Sequence, residues 1–155
     1  MKPITYEQAL HRLAAYCSRG ERCIQDIRQK MIRWELAAED QKKIIGKLQS
    51  EKFLDERRFC KAFVNDKSKY SHWGVYKIQY ELKKKQLPES FIREALSEID
   101  REENREQLRK LLATKQKTVK GVNEYEIKQK LVRFAAGKGF LLEDIESVIP
   151  SINIS

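Results

Sequence analysis

The residues best suited to chemistry in this chain are cations interleaved with aromatics. Between Arg57 and Leu87 stand Arg57, Arg58, Lys61, Lys67, Lys69, Lys77, Lys83, Lys84 and Lys85, against only Asp66 and Glu81, with Tyr70, Trp73 and Tyr76 among them. Lys and Arg attract phosphates and acidic surfaces, while aromatic rings stack on bases or anchor a protein interface. Trp73 and Tyr76 could equally seal a junction between two helices, a role their position favours slightly. Arg19, Arg22 and Arg28 extend the basic track on one side, and Lys115, Lys117 and Lys120 on the other; the Lys115–Lys120 stretch reads equally as a solvated connection.

Catalysis asks for more than charge: a converging set of acids, bases or metal ligands. His11 and His72 are isolated from each other. Neither a G-x-x-x-x-G-K-[ST] loop nor a G-x-G-x-x-G turn occurs. Asp55 and Glu56 are explained by helix capping and the helix dipole. Cys17, Cys23 and Cys60 are odd in number and lack C-x-x-C spacing, so they read as reduced thiols dispensable for activity, with Cys17 and Cys60 as small packing residues. The expectation is a non-enzyme with no metal and no cofactor, working in the cytoplasm.

The elements that must position the cations are helices. In 155 residues, Gly and Pro are scarce and apolar residues recur three and four apart. Tyr6, Ala9, Leu10, Leu13 and Ala14 form one stripe, with Thr5 and Gln8 as a capping box. Asp55 caps a later helix whose inner face is Phe59, Ala62 and Phe63, with Leu54 and Phe59 at the positions of a hydrophobic staple. No run of about 18 apolar residues occurs, so no membrane span is expected. Met1 to Thr5 lacks the apolar stretch of a secretory signal.

A longer period overlies the helical one. Ile27, Met31, Leu36, Ile44, Ile45 and Leu48 are matched step for step by Ile78, Leu82, Leu87, Ala95, Leu96 and Ile99. Ile127, Leu131, Phe140, Val148, Ile149 and Ile152 match again if one helical turn is inserted between Leu131 and Phe140. Each third helix opens on acid: Glu39 and Asp40, Glu89 after Pro88, then Glu143 and Asp144. The fold class read from this is all-α: three tandem three-helix repeats, residues 5–51, 54–99 and 100–152, stacked into an elongated, curved rod.

Charge follows the units. The formal net charge is +9, yet residues 88–107 are acidic, with Glu89, Glu94, Glu98, Asp100, Glu102, Glu103 and Glu106 against Arg93, Arg101 and Arg105. Such banding suits an anionic partner and discourages a large apolar self-interface, so a monomer is expected.

The run Phe53-Leu54-Asp55-Glu56-Arg57-Arg58-Phe59, then Ala62-Phe63 and Gly74-x-x-Lys77-Ile78-x-x-Glu81-Leu82, resembles the RecX family of recombination regulators. So do Ala9-Leu10, Leu13 and the run Ile27-Arg28-Gln29-Lys30-Met31 in the first unit. The likeness departs at Glu56, where the family commonly has Asp, at Lys77, where it often has Arg, and at Glu35 and Gln86, where it usually has Gly. The resemblance implies a regulator of homologous recombination and DNA repair that binds a RecA-type recombinase filament and restrains its growth, with single- or double-stranded DNA as a further partner. Charge and periodicity alone reach only an elongated basic helical binder, which leaves two other readings: a non-sequence-specific DNA-binding protein, or a helical-repeat interaction scaffold. The contact candidates are Arg22, Arg28, Arg57, Arg58, Lys61, Lys67, Lys69, Trp73, Lys77, Lys83, Lys84 and Lys85. Exposed cations contribute little to folding, so changing Arg57, Arg58 and Lys61, or Lys83, Lys84 and Lys85, to Glu is expected to leave helicity and melting nearly intact while weakening filament binding, more so at low salt.

Overall fold

In a computed structural model that describes residues 3–154, the chain is helical and contains no strand among the described residues. Met1 and Lys2, part of the stretch read for a signal sequence, lie outside that range. The helices are α1 (Tyr6–Ser18), α2 (Ile24–Arg33), α3 (Ala38–Ser50), α4 (Glu56–Lys69), α5 (Val75–Lys84), α6 (Glu89–Leu96), α7 (Arg101–Gln116), α8 (Glu124–Gly137) and α9 (Leu142–Val148), with a short 3-10 turn at Ile149–Ser151. None is long and apolar enough to cross a membrane.

Side chains fix where these helices begin. Thr5 Oγ1 accepts the Gln8 N–H at 3.1 Å and Gln8 Oε1 accepts the Thr5 N–H at 3.0 Å, closing the expected box. Asp55 accepts from the Arg58 N–H, Asp100 from Glu103 and Asn123 from Glu126. Pro88 stands at the N-cap of α6 rather than inside its first turn.

Three separate cores form, one per helix triplet. Leu13, Ile27, Met31, Ile44 and Leu48 fill the first; Phe59, Cys60, Ile78, Leu82 and Ile92 the second; Leu108, Leu112, Leu131, Phe140 and Ile145 the third. Leu54 joins the first core and Phe59 the second, so the expected staple between them does not form. The chain exposes 10033 Å². A compact monomer of 18.4 kDa would expose about 8,200 Å², so three small cores in series make an elongated body.

The third unit corrects the register read from sequence. Leu131, Ala135 and Phe140 are buried, repeating the steps of Ile78, Leu82 and Leu87 without an insertion between them. The extra turn lies at the start of α8, where Ile127 is only half-buried.

Each middle helix ends in the same turn. Glu35, Gln86 and Gly139 have φ of 57°, 63° and 95°. The N–H of each bonds back three residues, and the next N–H, of Leu36, Leu87 and Phe140, bonds back five, to Met31, Leu82 and Ala135. The apolar residue that closes each turn packs into its core, which holds Glu and Gln in a left-handed conformation that Gly adopts more easily. Glu35→Gly and Gln86→Gly should therefore each raise stability by about 0.5–1 kcal/mol in denaturant unfolding; a loss in both would show that the side chains hold these turns.

The units meet by two different junctions. Between the first and second, the Ile24 N–H donates to Glu56 at 3.0 Å, Gln25 Nε2 to the Lys84 carbonyl at 3.3 Å and Lys85 Nζ to Asp26 at 3.2 Å. Burial pushes the Glu56 carboxyl up, opposed by the Ile24 N–H and then by Arg28. Between the second and third the contact is mainly backbone on backbone, with Lys138 Nζ donating to the Ser71 carbonyl at 3.2 Å. The Gly74 N–H donates to the Lys138 carbonyl at 2.7 Å and the Tyr76 N–H to that of Gly139 at 2.9 Å. Glycine at both positions lets the strands of backbone meet: a Cβ on Gly74 would lie 2.2 Å from Phe140 N, and one on Gly139 2.5 Å from Lys77 N.

The cysteines are free. Cys23, from the first unit, is buried in the second unit's core beside Cys60, and Cys17 is half-exposed. Burial pushes the thiols of Cys23 and Cys60 from 9.0 up to about 11. A thiol-specific reagent at neutral pH should thus modify Cys17 first and the other two only on unfolding. The two buried thiols keep their protons when folded and lose them when unfolded between pH 9 and 11, so stability should fall as pH rises through that window. Equal labelling rates for all three thiols would contradict this burial.

Candidate functional site: a basic and aromatic face on the second unit

The turn joining α4 to α5 sets the site. Its Trp73 N–H reaches back to the Lys67 carbonyl at 3.0 Å, and His72 takes φ of 55° to make the reversal. Trp73 then packs edge-on against Phe63, with ring centroids 6.2 Å apart. Lys67 Nζ and Lys77 Nζ lie 4.9 Å and 4.6 Å from the indole ring, an arrangement that fixes both ammonium groups beside one aromatic. Trp73 is thus both a packing residue and the platform of the site.

From there the outer face of α5 continues the pattern. Tyr76 and Tyr80, four residues apart and so on one face, are 60% and 62% exposed. Lys84 Nζ is 5.6 Å from the Tyr80 ring and also 3.7 Å from Glu81. Lys83 and Lys77 have no carboxylate within ion-pair distance among the described residues. Lys69, at the end of α4, has none either, but it lies off this face, lining a groove with Glu98, Asp100 and Glu103. Tyr70, in the turn, is largely exposed. An open, uncompensated strip of this kind can take phosphates or carboxylates on its ammonium groups and flat groups on its rings.

Other sequence candidates are occupied by the protein itself. Arg57 pairs with Glu94 at 3.0 Å, and Lys61 reaches Glu98 at 3.3 Å and Glu94 at 3.7 Å. Arg57 also lies over the Phe91 ring. Arg58 donates to Glu21 at 2.6 Å and to the Lys52 and Phe53 carbonyls at 3.1 and 3.3 Å. Lys85 is held by Asp26 and Lys67 lies 3.9 Å from Asp66. In the first unit Arg22 stacks on Tyr16 at 3.8 Å and donates to its carbonyl, while Arg28 has no ion pair among the described residues. Part of the charge banding is therefore internal: Arg57 and Lys61, four apart on α4, face Glu94 on α6 and Glu98 in the turn after it. Matching spacings in the two bands carry that signal. Tyr80, one turn after Tyr76, is the aromatic of this face that no short motif marks.

This placement corrects the expectation that Arg57, Arg58 and Lys61 are dispensable for folding. Arg58→Glu would set two carboxylates against each other and leave the end of α3 without its donor. A loss of about 1–2 kcal/mol is expected, discounted for the partial exposure of the pair. The double variant Arg58→Glu, Glu21→Arg should recover part of it; an unchanged midpoint for Arg58→Glu alone would contradict a structural role for the Arg58 contacts.

Comparison with known proteins agrees with the fold. A family model described as "RecX, second three-helix domain" matches residues 55–96, and "RecX, third three-helix domain" matches residues 102–149. The regulatory protein RecX of Clostridium tetani (strain Massachusetts / E88) is 35% identical over 109 residues, covering 69% of this chain and 50% of that protein. That of Geobacillus sp. (strain WCH70) is 32% identical over 151 residues, covering 95% of this chain and 53% of that protein. The chain spans about half the length of most of the curated relatives it matches. Among solved structures, one titled "Crystal structure of RecX from Lactobacillus salivarius" superposes with a TM-score of 0.81 at 18% identity, covering 97% of each chain. Another, "Crystal structure of regulatory protein RecX", gives 0.86 at 23% identity, covering 94% of this chain and 73% of that one. Those two structures match the fold, the family models match the second and third units in order, and on that evidence the chain belongs to the RecX family.

Proposed function

We propose that this chain, working in the cytoplasm, binds the filament that a RecA-type recombinase forms on DNA and restrains its growth and activity. It would thereby regulate homologous recombination and DNA repair. The observation that carries the reading is the open α5 face, where Lys77 and Lys83 have no internal counter-ion among the described residues and stand beside exposed Tyr76 and Tyr80. A filament groove is a long, anion-rich track, and a row of helical units can lie along it, steered by charge. The units taken as 5–51, 54–99 and 100–152 would follow one another along that groove.

The contact set is centred on the α5 face. Lys67, Trp73, Lys77, Lys83 and Lys84 form the central contact, flanked by Lys69, Arg28 and Arg22. Arg57, Arg58, Lys61 and Lys85 contribute mainly to the field, because their own carboxylates hold them. The experiment is the recombinase's DNA-dependent ATP hydrolysis, followed as the protein is titrated in. A fall with increasing protein supports the reading, and an unchanged rate at saturation counts against it.

A second reading is favoured by the tyrosines: direct, sequence-independent binding of single-stranded DNA by stacking on Tyr76 and Tyr80. Binding to bare oligonucleotide that Tyr76→Ala and Tyr80→Ala both weaken would support it, and its absence at low salt would exclude it.

A further inference from the structure

A groove runs between the second unit and the third. The second half of α4 lines one side and the start of α7 the other, with the turn after α6 between them. It is half-enclosed and has a volume of about 160 Å³. Small-molecule sites typically measure about 300–1,000 Å³, so this one suits a short stretch of chain better than a cofactor. Val64 and Ala95, both buried, supply its apolar part.

The polar lining does not satisfy itself. Asn104 is only 6% exposed, yet its side-chain amide has no hydrogen-bond partner among the described residues. No side-chain nitrogen or oxygen sealed from solvent lacks a partner among those residues, so this amide opens into the groove. Ser68, also buried, donates only a long bond of 3.4 Å to the Asn65 carbonyl. Opposite charges stand on the two sides without meeting. Lys69 on α4 has no carboxylate within ion-pair distance, and Glu103 on α7 no cation, among the described residues. Asp100 spends one oxygen on the Glu103 N–H, while Lys61 and Glu98 are paired with each other at 3.3 Å. A buried amide without a partner opposes folding, so its presence points to something bound there.

We propose that this groove receives an extended segment of a partner protein in which a basic and an acidic residue are neighbours. The Asn104 side chain carries both donors and acceptors, and a peptide group, with one of each, is its natural complement. Successive side chains of an extended chain point to opposite sides. With the peptide group between them on Asn104, the basic side chain faces Glu103 and Asp100, and the acidic one faces Lys69. A nucleic acid is a poor match, because its phosphates would meet those two carboxylates. The groove lies off the α5 face, and its reading does not rest on what binds there.

The test is a titration of the full chain with the peptide acetyl-Gly-Arg-Glu-Gly-amide, followed by nitrogen–proton NMR. Saturable shifts are expected at the Asn104 side-chain amide and at Ser68, half complete at about 1 mM. Peptides with Ala in place of Arg or of Glu should each bind about threefold more weakly. Asn104→Ala removes the amide without breaking an internal hydrogen bond, and Ala is the better helix former. That variant should therefore melt no lower than the parent and bind about fivefold more weakly, read at Ser68. Glu103→Gln is the second variant: it should weaken the Arg-Glu peptide about threefold and leave the Ala-Glu peptide as before. The proposal is overturned if no saturable shift appears by about 10 mM, a range that reaches weak binding of this kind. It is also overturned if the peptide with both charges replaced by Ala binds equally well, or if Asn104→Ala melts well below the parent, which would give the amide to the fold. Tighter binding of adenosine monophosphate at the same amide would assign the groove to a nucleotide instead.

Discussion

Gly74→Ala is expected to uncouple the second unit from the third. The new Cβ would lie 2.2 Å from Phe140 N, 2.3 Å from Gly139 C and 2.4 Å from Gly139 O, and all three are backbone atoms held by the turn that ends α8. No side chain can swing aside to relieve this. The units must separate, and the Gly74 and Tyr76 N–H groups then lose the Lys138 and Gly139 carbonyls. Overpacking with the loss of two backbone hydrogen bonds should cost about 3 kcal/mol or more in denaturant unfolding. Amide exchange at Gly74 and Tyr76 should accelerate, while that of the first unit should not. Gly137→Ala is the control: a Cβ there meets nothing within 4 Å on a helical residue, so stability should hold or rise. If Gly74→Ala unfolds like the parent, the two units do not meet as described.

Reversing three second-unit cations that have no carboxylate partner, Lys77 and Lys83 on the α5 face and Lys69 beside it, should have the largest effect on binding. Lys69→Glu, Lys77→Glu and Lys83→Glu together should weaken binding to a recombinase–DNA filament by about 30–100-fold at low salt, with a smaller difference at high salt. None of the three is held by a carboxylate, so the unfolding midpoint should move little. Comparison with Arg58→Glu separates the two classes of cation: the first set should lose binding and keep stability, and the second should lose stability. A triple variant that binds as tightly as the parent would move the contact off this face.

Much of this architecture is written locally in the sequence. Thr5 with Gln8, and Asp55, are short-range capping signals that need no tertiary context. The apolar steps through Ile27, Met31 and Leu36, and through Ile78, Leu82 and Leu87, are the same signal at the level of a unit. The register of the third unit is masked in the sequence because its core uses Ala135 where the others use Met31 and Leu82, and the bulkier Ile127 nearby imitates the pattern. Glu35 and Gln86 hid two turns that Gly139 displays openly. Their positive φ is sustained by hydrogen bonds and by the buried Leu87 or half-buried Leu36 that follows, neither of which is a property of the residue itself.

The site was legible in outline and misjudged in detail for a comparable reason. Composition counts charges but does not assign their partners. The excess between Arg57 and Leu87 contains two populations, which only the packing of α4 on α6 and of the first unit on the second separates. Gly74 belonged to a recognised run of residues, yet its purpose depends on Gly139, 65 positions later, and pairing at that distance leaves no local trace.

The most direct measurement is the affinity of the intact chain for three targets at matched salt: recombinase alone, DNA alone, and the recombinase filament assembled on DNA. The account predicts that the filament is bound most tightly, with that advantage largely lost in the Lys69, Lys77 and Lys83 triple variant. Equal affinity for bare DNA and filament, or undiminished filament binding by the triple variant, would contradict it.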